Sequence, residues 1–147
     1  MPGMNRLGVS DVVTVPAQSF EAARRRAGWN DNGIALFPQL WIYNPQGQLI
    51  YSSYDNAKSA QVISQFPDDM AGRSPIATTS SLASVLQAIP EFQRHQSEIL
   101  EHPNYAIISV SMDGCHGCSI LDGVLSARQS KLQSDGINLL TLQVVHR

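Results

Sequence analysis

A continuous apolar segment runs directly into two cysteines that are separated by two residues. Residues 105–118 read YAIISVSMDGCHGC, and residues 119–133 continue with apolar positions at helical spacing. The pattern predicts a buried strand, then the cysteine pair, then a helix that begins at the second cysteine. Unpaired N–H groups and partial positive charge at a helix N-terminus stabilise a thiolate. Cys115 and Cys118 are the only cysteines of the chain, so we interpret them as a dithiol/disulfide pair.

Composition sets the frame for this pair. The chain has 147 residues, of which 43% are hydrophobic and 15% charged, which is typical of one compact α/β domain. A net charge of -2 gives no basic face for nucleic acid, and we interpret the triplet at residues 24–26 as a solvated helix face. No apolar run is long enough for a membrane span or a signal peptide, so we expect a soluble protein. A single redox pair fits both the periplasm and the cytoplasm, and the compartment stays open.

The first half of the chain predicts a strand, a helix, a hairpin and a second helix. Gly28 is placed to stop the first helix, and Pro45 and Gly47 suit the hairpin turn. The predicted elements are a short strand at 12–15, a helix at 20–27 capped by Ser19, hairpin strands at 38–43 and 48–51 joined by the turn at 44–47, and a helix at 58–66.

The second half begins after a stretch rich in Pro, Gly and charge at residues 67–75, which we interpret as a surface linker. A helix capped within 78–81 follows, is interrupted by Pro90 and continues to residue 100. The strands at 105–110 and 137–145 are continuously apolar and enclose the helix after the cysteines. They therefore predict a βαβ unit with two parallel, buried strands.

In this order of elements the chain resembles the thioredoxin-like family, with its halves exchanged. Residues 77–147 are similar to the usual N-terminal half with its C-x-x-C, and residues 1–66 to the usual C-terminal half. Residues 67–76 join the two. The resemblance implies a single domain over 1–147, with a circularly permuted thioredoxin-like fold whose central mixed β-sheet is flanked by helices.

The resemblance also implies roles for individual residues. Cys115 matches the attacking cysteine and Cys118 the resolving one. Pro38 matches the family's cis-proline, and Phe37-Pro38 is expected to lie beside the pair and hold substrate backbone. His116 stands next to the attacking sulfur, where a histidinium would favour the thiolate.

The sequence departs from the family at two positions near the pair. Gly114 stands where thioredoxins usually carry tryptophan. Ser109 stands where they bury a carboxylate that assists proton transfer.

The implied function is that of a thiol-disulfide oxidoreductase. Its expected partners are protein dithiols or disulfides and a redox partner protein, and no cofactor, metal or nucleic acid is expected. A zinc site is the alternative for C-x-x-C, and it requires two further ligands from the chain's histidines. A fold retained for binding or scaffolding without redox turnover, and an engineered permutation, also stay open. The chain is expected to be a monomer or a domain-swapped dimer.

The permuted arrangement predicts a definite sheet. The strand at 105–110 should be central, with 137–145 parallel on one side and 40–43 antiparallel on the other, and 48–52 at the edge. Residues 1 and 147 should emerge on the same side of the domain.

Overall fold

The computed structural model of the chain describes residues 7–29, 37–76, 80–115 and 118–145. Short 3-10 turns lie at Asp68–Met70 and Pro90–His95. The strands of the described part are β1 (Ser10–Pro16), β2 (Gln39–Tyr43), β3 (Leu49–Ser53), β4 (Ala106–Met112) and β5 (Asn138–Val145). Its α-helices are α1 (Ala17–Arg26), α2 (Asn56–Gln65), α3 (Leu82–Ala88), α4 (Gln96–Glu101) and α5 (Ser119–Ser134).

The strands form one mixed sheet in the order β1-β5-β4-β2-β3. The central strand β4 pairs parallel with β5 and antiparallel with β2, and β3 lies at the edge beyond β2. These placements confirm the predicted order of the four strands and the α/β class with helices on the sheet. The short strand predicted at 12–15 adds a fifth member, because β1 pairs parallel with β5 at the other edge.

Apolar side chains cover both faces of the sheet. Alternation along β4 places Ile108 and Val110 in the core beneath α1, α3 and α4, and Ile107 in the core beneath α2 and α5. Because both faces are buried, residues 106–108 of β4 are apolar without alternation, as the sequence indicated. In the part of the chain that is described, no helix combines the length and the apolar character required to cross a membrane.

Two helix starts differ from the predictions. Helix α1 begins at Ala17 rather than at Phe20, and Ser19 does not cap it. Pro16 occupies the N-cap in an extended conformation (φ -62°, ψ 148°) and makes no side-chain hydrogen bond to the helix. Helix α2 begins two residues earlier than predicted, because the Asp55 side chain accepts a hydrogen bond from the Lys58 N–H at 2.8 Å and caps it.

The linker interpretation of 67–75 is wrong at one residue. Met70 is buried in the core beneath α2 and α5, at the end of a 3-10 turn. The thioether chain supplies apolar area that the surrounding polar residues cannot. The remainder, residues 71–76, is exposed and runs along the surface as predicted.

The expected positions of residues 1 and 147 lie outside the described residues. Nearby, Ser10 pairs with Leu139 at the amino end of β5, whereas Pro16 pairs with Val145 at the carboxyl end. Strand β1 therefore carries the chain from the amino end of β5 to its carboxyl end, where α1 begins. A direct connection from Val145 to Ser10 would have to cross about 20 Å, at ~3.3 Å for each residue of β1.

Tyr43 provides a test of the buried polar network on the α1 side. Its hydroxyl accepts from Trp29 Nε1 at 2.9 Å and shares a hydrogen bond of 2.6 Å with Ser80 Oγ. Burial raises the pKa of Tyr43 to about 12. We expect Tyr43→Phe to lower the free energy of unfolding by about 1–3 kcal/mol, because two buried partners lose their hydrogen bond. The measurement is urea denaturation, with Tyr51→Phe as the control on β3, and equal losses for the two variants would contradict the prediction.

Asp11 on the edge strand provides a pH test. Desolvation raises the pKa of Asp11, but hydrogen bonds from Arg94 and His95 outweigh it and hold the pKa below its ordinary value of 3.8. A lowered folded-state pKa means that stability is present above 3.8 and is lost as the pH falls through the folded value. Asp11→Asn should therefore cost about 0.5–1 kcal/mol at pH 7, and the difference from the wild type should shrink toward pH 2. Thermal melts across this range, with Asp68→Asn as a surface control, check it. A cost that does not change with pH would refute the ionic contribution.

Candidate functional site

The turn that carries the first cysteine follows directly from the central strand. Asp113 N–H donates to Val144 on β5 at 3.0 Å, and Cys115 N–H donates to the Met112 carbonyl at 3.1 Å. Gly114 lies between them with φ 78°, a conformation that side chains rarely adopt. A Cβ at Gly114 would meet no atom within 4 Å. The backbone conformation, rather than lack of space, is therefore what favours glycine at this position.

The two cysteines form a disulfide across the start of α5. Their Cα atoms are 5.5 Å apart, and Cys118 N–H donates to the Cys115 carbonyl at 3.3 Å. Cys118 is only 3% exposed, whereas Cys115 is half-buried. The structure therefore brings the predicted pair together and makes Cys115 the more accessible sulfur, as its position before the helix indicated.

The N-terminus of α5 has a cap that comes from another helix. Cys118 occupies the N-cap position without a side-chain hydrogen bond to the helix. Instead, the Leu121 N–H donates to Asn56 Oδ1 of α2 at 2.9 Å. Sequence analysis did not identify Asn56, because the two residues are 65 positions apart and local capping patterns report only neighbours. The single available signal was an Asn at the start of a helix whose cap was already Asp55.

Phe37 and Pro38 lie at the same end of the sheet as the disulfide. Their peptide bond is cis, which confirms the prediction for this bond. Gln39 pairs with Val110 near the carboxyl end of β4, so the preceding Pro38 is placed beside the strand end that leads to Cys115. Pro38 is buried, and the half-buried Phe37 ring packs on Phe20 at a centroid distance of 5.8 Å. The Phe37 ring thus packs against the core beneath α1.

The tuning role predicted for His116 falls outside the described residues. Among the residues that are described, no three His, Cys, Asp or Glu side chains lie together in a way that could hold a metal ion.

A shallow groove of about 160 Å³ lies between α5 and residues of β1, β4 and β5. Ser111 Oγ donates to Gln143 Oε1 at 2.9 Å on its floor. Asp122 lines it from the helix, and partial desolvation raises the pKa of that carboxyl. Ser109, two residues before Ser111 on the same face of β4, is fully buried, and its hydroxyl has no partner among the described residues. Sequence analysis did not single out Asp122, since an acid in the first turn of a helix is common.

Comparison of the chain with known protein families, with curated proteins and with solved structures found no significant match. The site is therefore described by its own geometry alone. It consists of a half-buried cysteine bonded to a buried one, at the junction of a central strand and a long helix.

The difference in exposure leads to a labelling test. In the reduced protein we expect iodoacetamide to modify Cys115 before Cys118, since Cys115 is accessible and its thiolate lies near a helix N-terminus. At pH 6 an ordinary free thiol, with a pKa of ~8.5, is less than about 1% thiolate, so rapid labelling at this pH reports an activated sulfur. Peptide mass spectrometry after short labelling gives the site. Equal labelling, or labelling only above pH 8.5, would contradict an activated Cys115.

Proposed function

We propose that this protein is a thiol-disulfide oxidoreductase that exchanges disulfides through Cys115 and Cys118. The observation that carries the proposal is the half-buried Cys115, bonded to the buried Cys118 at the start of α5. A purely structural role explains the bond less well. The cysteines are three positions apart, and closing so short a loop contributes about 2 kcal/mol in the chain-entropy view, against nearly 5 for a 100-residue loop.

In the reducing direction, the Cys115 thiolate attacks one sulfur of a substrate disulfide. The disulfide bond of the substrate breaks. The sulfur that was not attacked leaves as a thiolate and takes up a proton, and a mixed disulfide between Cys115 and the attacked sulfur remains. Cys118 loses its proton and attacks the Cys115 sulfur. The second substrate thiol is released and the intramolecular disulfide forms. Two electrons pass to the substrate, and a second dithiol protein must return two electrons to the pair for another cycle.

For the fold we infer the finer description, a thioredoxin-like domain in circularly permuted order. Support comes from the central strand that leads to the cysteines, the parallel strand after α5, and the antiparallel hairpin that follows Pro38. In this description α1 would usually continue from the end of β5. Pro16 lies beside Val145, so the start of α1 is at the place that such a connection would reach. Strand β1 is then an additional edge strand placed ahead of α1.

The expected substrates are protein dithiols or disulfides. An extended segment beside the Phe37-Pro38 backbone would bring its own sulfur to the end of β4, where Cys115 stands. Ile120, on the first turn of α5, is 56% exposed and offers an apolar contact at the same end of the sheet.

The test is the reduction of insulin by dithiothreitol, followed by turbidity. The wild-type protein should accelerate precipitation, and Cys115→Ser should abolish the acceleration because the attacking sulfur is gone. Cys118→Ser should instead accumulate a mixed disulfide through Cys115, visible by mass spectrometry after mixing with a disulfide substrate. Ser119→Ala, at an exposed neighbour of the pair, serves as the control and should leave the rate unchanged.

A binding or scaffold role would produce a different result. In that case the wild-type protein leaves the precipitation rate at the dithiothreitol background, and Cys118→Ser forms no mixed disulfide. This outcome would overturn the oxidoreductase proposal.

A further inference from the structure

We propose that Asn56 is a positioning residue that sets the reactivity of the cysteine pair by binding the N-terminus of α5 with a neutral acceptor. This inference rests on the proposed function, because it concerns the thiolate of Cys115. It is drawn from the hydrogen bond that Leu121 N–H donates to Asn56 Oδ1 at 2.9 Å, across the contact between α2 and α5.

Leu121 is the third residue of α5, and its N–H is one of those without a partner inside the helix. An N-cap side chain usually accepts from this position. Cys118 occupies the N-cap but provides no such bond, and its sulfur is committed to Cys115. Asn56 therefore supplies from α2 the capping contact that the cysteine cannot supply.

The chemistry of the acceptor decides what this contact does to a thiolate. A carboxylate at a helix N-terminus would offset the partial positive charge there, and that charge is what favours the thiolate over the thiol. The amide oxygen of Asn56 satisfies the N–H without adding a negative charge. The helix start is thus held in place while its charge stays available to sulfur.

Asp55, the residue before Asn56, offers a charged acceptor but binds a different helix. Asp55 does carry a carboxylate, but Asp55 Oδ1 accepts from Lys58 N–H at 2.8 Å and caps α2 itself. The charged acceptor serves its own helix, and the neutral acceptor serves the helix that carries the cysteines. Further charged groups close in sequence to this contact are Lys58 in the first turn of α2, Asp113 in the cysteine turn and Asp122 in the first turn of α5.

Two substitutions should act in opposite directions on the thiol. Asn56→Asp keeps an acceptor for Leu121 but adds a negative charge. It should slow iodoacetamide labelling of Cys115 at pH 6 by about two- to fivefold, the range of an anion near a helix N-terminus. Asn56→Ala frees the Leu121 N–H, so labelling should become faster. Ala57→Asp, at an exposed residue of the same turn, places the same charge without the hydrogen bond and should change the rate less than Asn56→Asp.

The equilibrium with glutathione at pH 7 provides the second measurement. Asn56→Asp destabilises the thiolate form of the reduced protein, and the equilibrium should move toward the disulfide by at most the same two- to fivefold, because only the ionised fraction of Cys115 at pH 7 is affected. At 29.6 mV for each tenfold change, this is at most about 9–21 mV toward more reducing potentials. Circular dichroism melts accompany each variant, because a merely structural role would move both Asn56 variants in the same direction.

The labelling measurement uses chemically reduced protein and needs no exchange partner, so the two proposals can fail separately. If the wild type does not exchange disulfides with insulin or glutathione, the proposed function fails. If it does, and Asn56→Asp matches Ala57→Asp, or both Asn56 variants shift the rate in one direction, the role of Asn56 is overturned. An Asn56→Asp variant that does not fold leaves Asn56→Ala to decide, since slower or unchanged labelling there also contradicts the proposal.

Discussion

The pairing of β4 with partners from both ends of the chain is the interaction on which the rest of the structure depends. Ile107 and Ile108 are fully buried and pair with Ile42 and Trp41 of β2 on one side, and with Leu139 and Leu140 of β5 on the other. Without β2, the second half of the chain would expose an apolar strand edge that invites aggregation. The two halves therefore complete one sheet, and the turn that carries Cys115 follows directly from its central strand.

The contact between α2 and α5 then fixes the site from above the sheet. Asn56 binds the beginning of α5, and the Arg128 guanidinium donates to the Phe66 carbonyl further along the same pair of helices. Apolar residues of both helices, among them Ile63, Leu121 and Leu125, lie in one core. Because α2 belongs to the first half of the chain and α5 to the second, the environment of Cys118 exists only when both halves are docked.

Much of this arrangement could be predicted from the sequence, because its signals are local. The hairpin turn, the apolar strands and the helix after Cys118 depend on residues that are near neighbours in the chain. The strand order followed from the family resemblance rather than from any local pattern. What could not be predicted depends on contacts between distant residues. Met70 looks like part of a polar linker until the core that receives it is known. Asn56 looks like an ordinary polar residue at a helix start until α5 is placed beside it. The start of α1 was missed for a local reason, since Ser19 and Pro16 are both plausible caps.

Polar side chains lie on the face of the sheet beneath α5, close to the cysteine pair. Toward its carboxyl end, β4 changes from apolar residues to Ser109 and Ser111 on the face beneath α5, and β5 changes to Thr141 and Gln143. A face built only for stability would continue with aliphatic residues here, because buried hydroxyls cost free energy unless they are paired. Ser109 has no such partner among the described residues. Apolar packing thus gives way to polar side chains at the end of the sheet where the disulfide lies, and the proposed disulfide exchange would take place beside them.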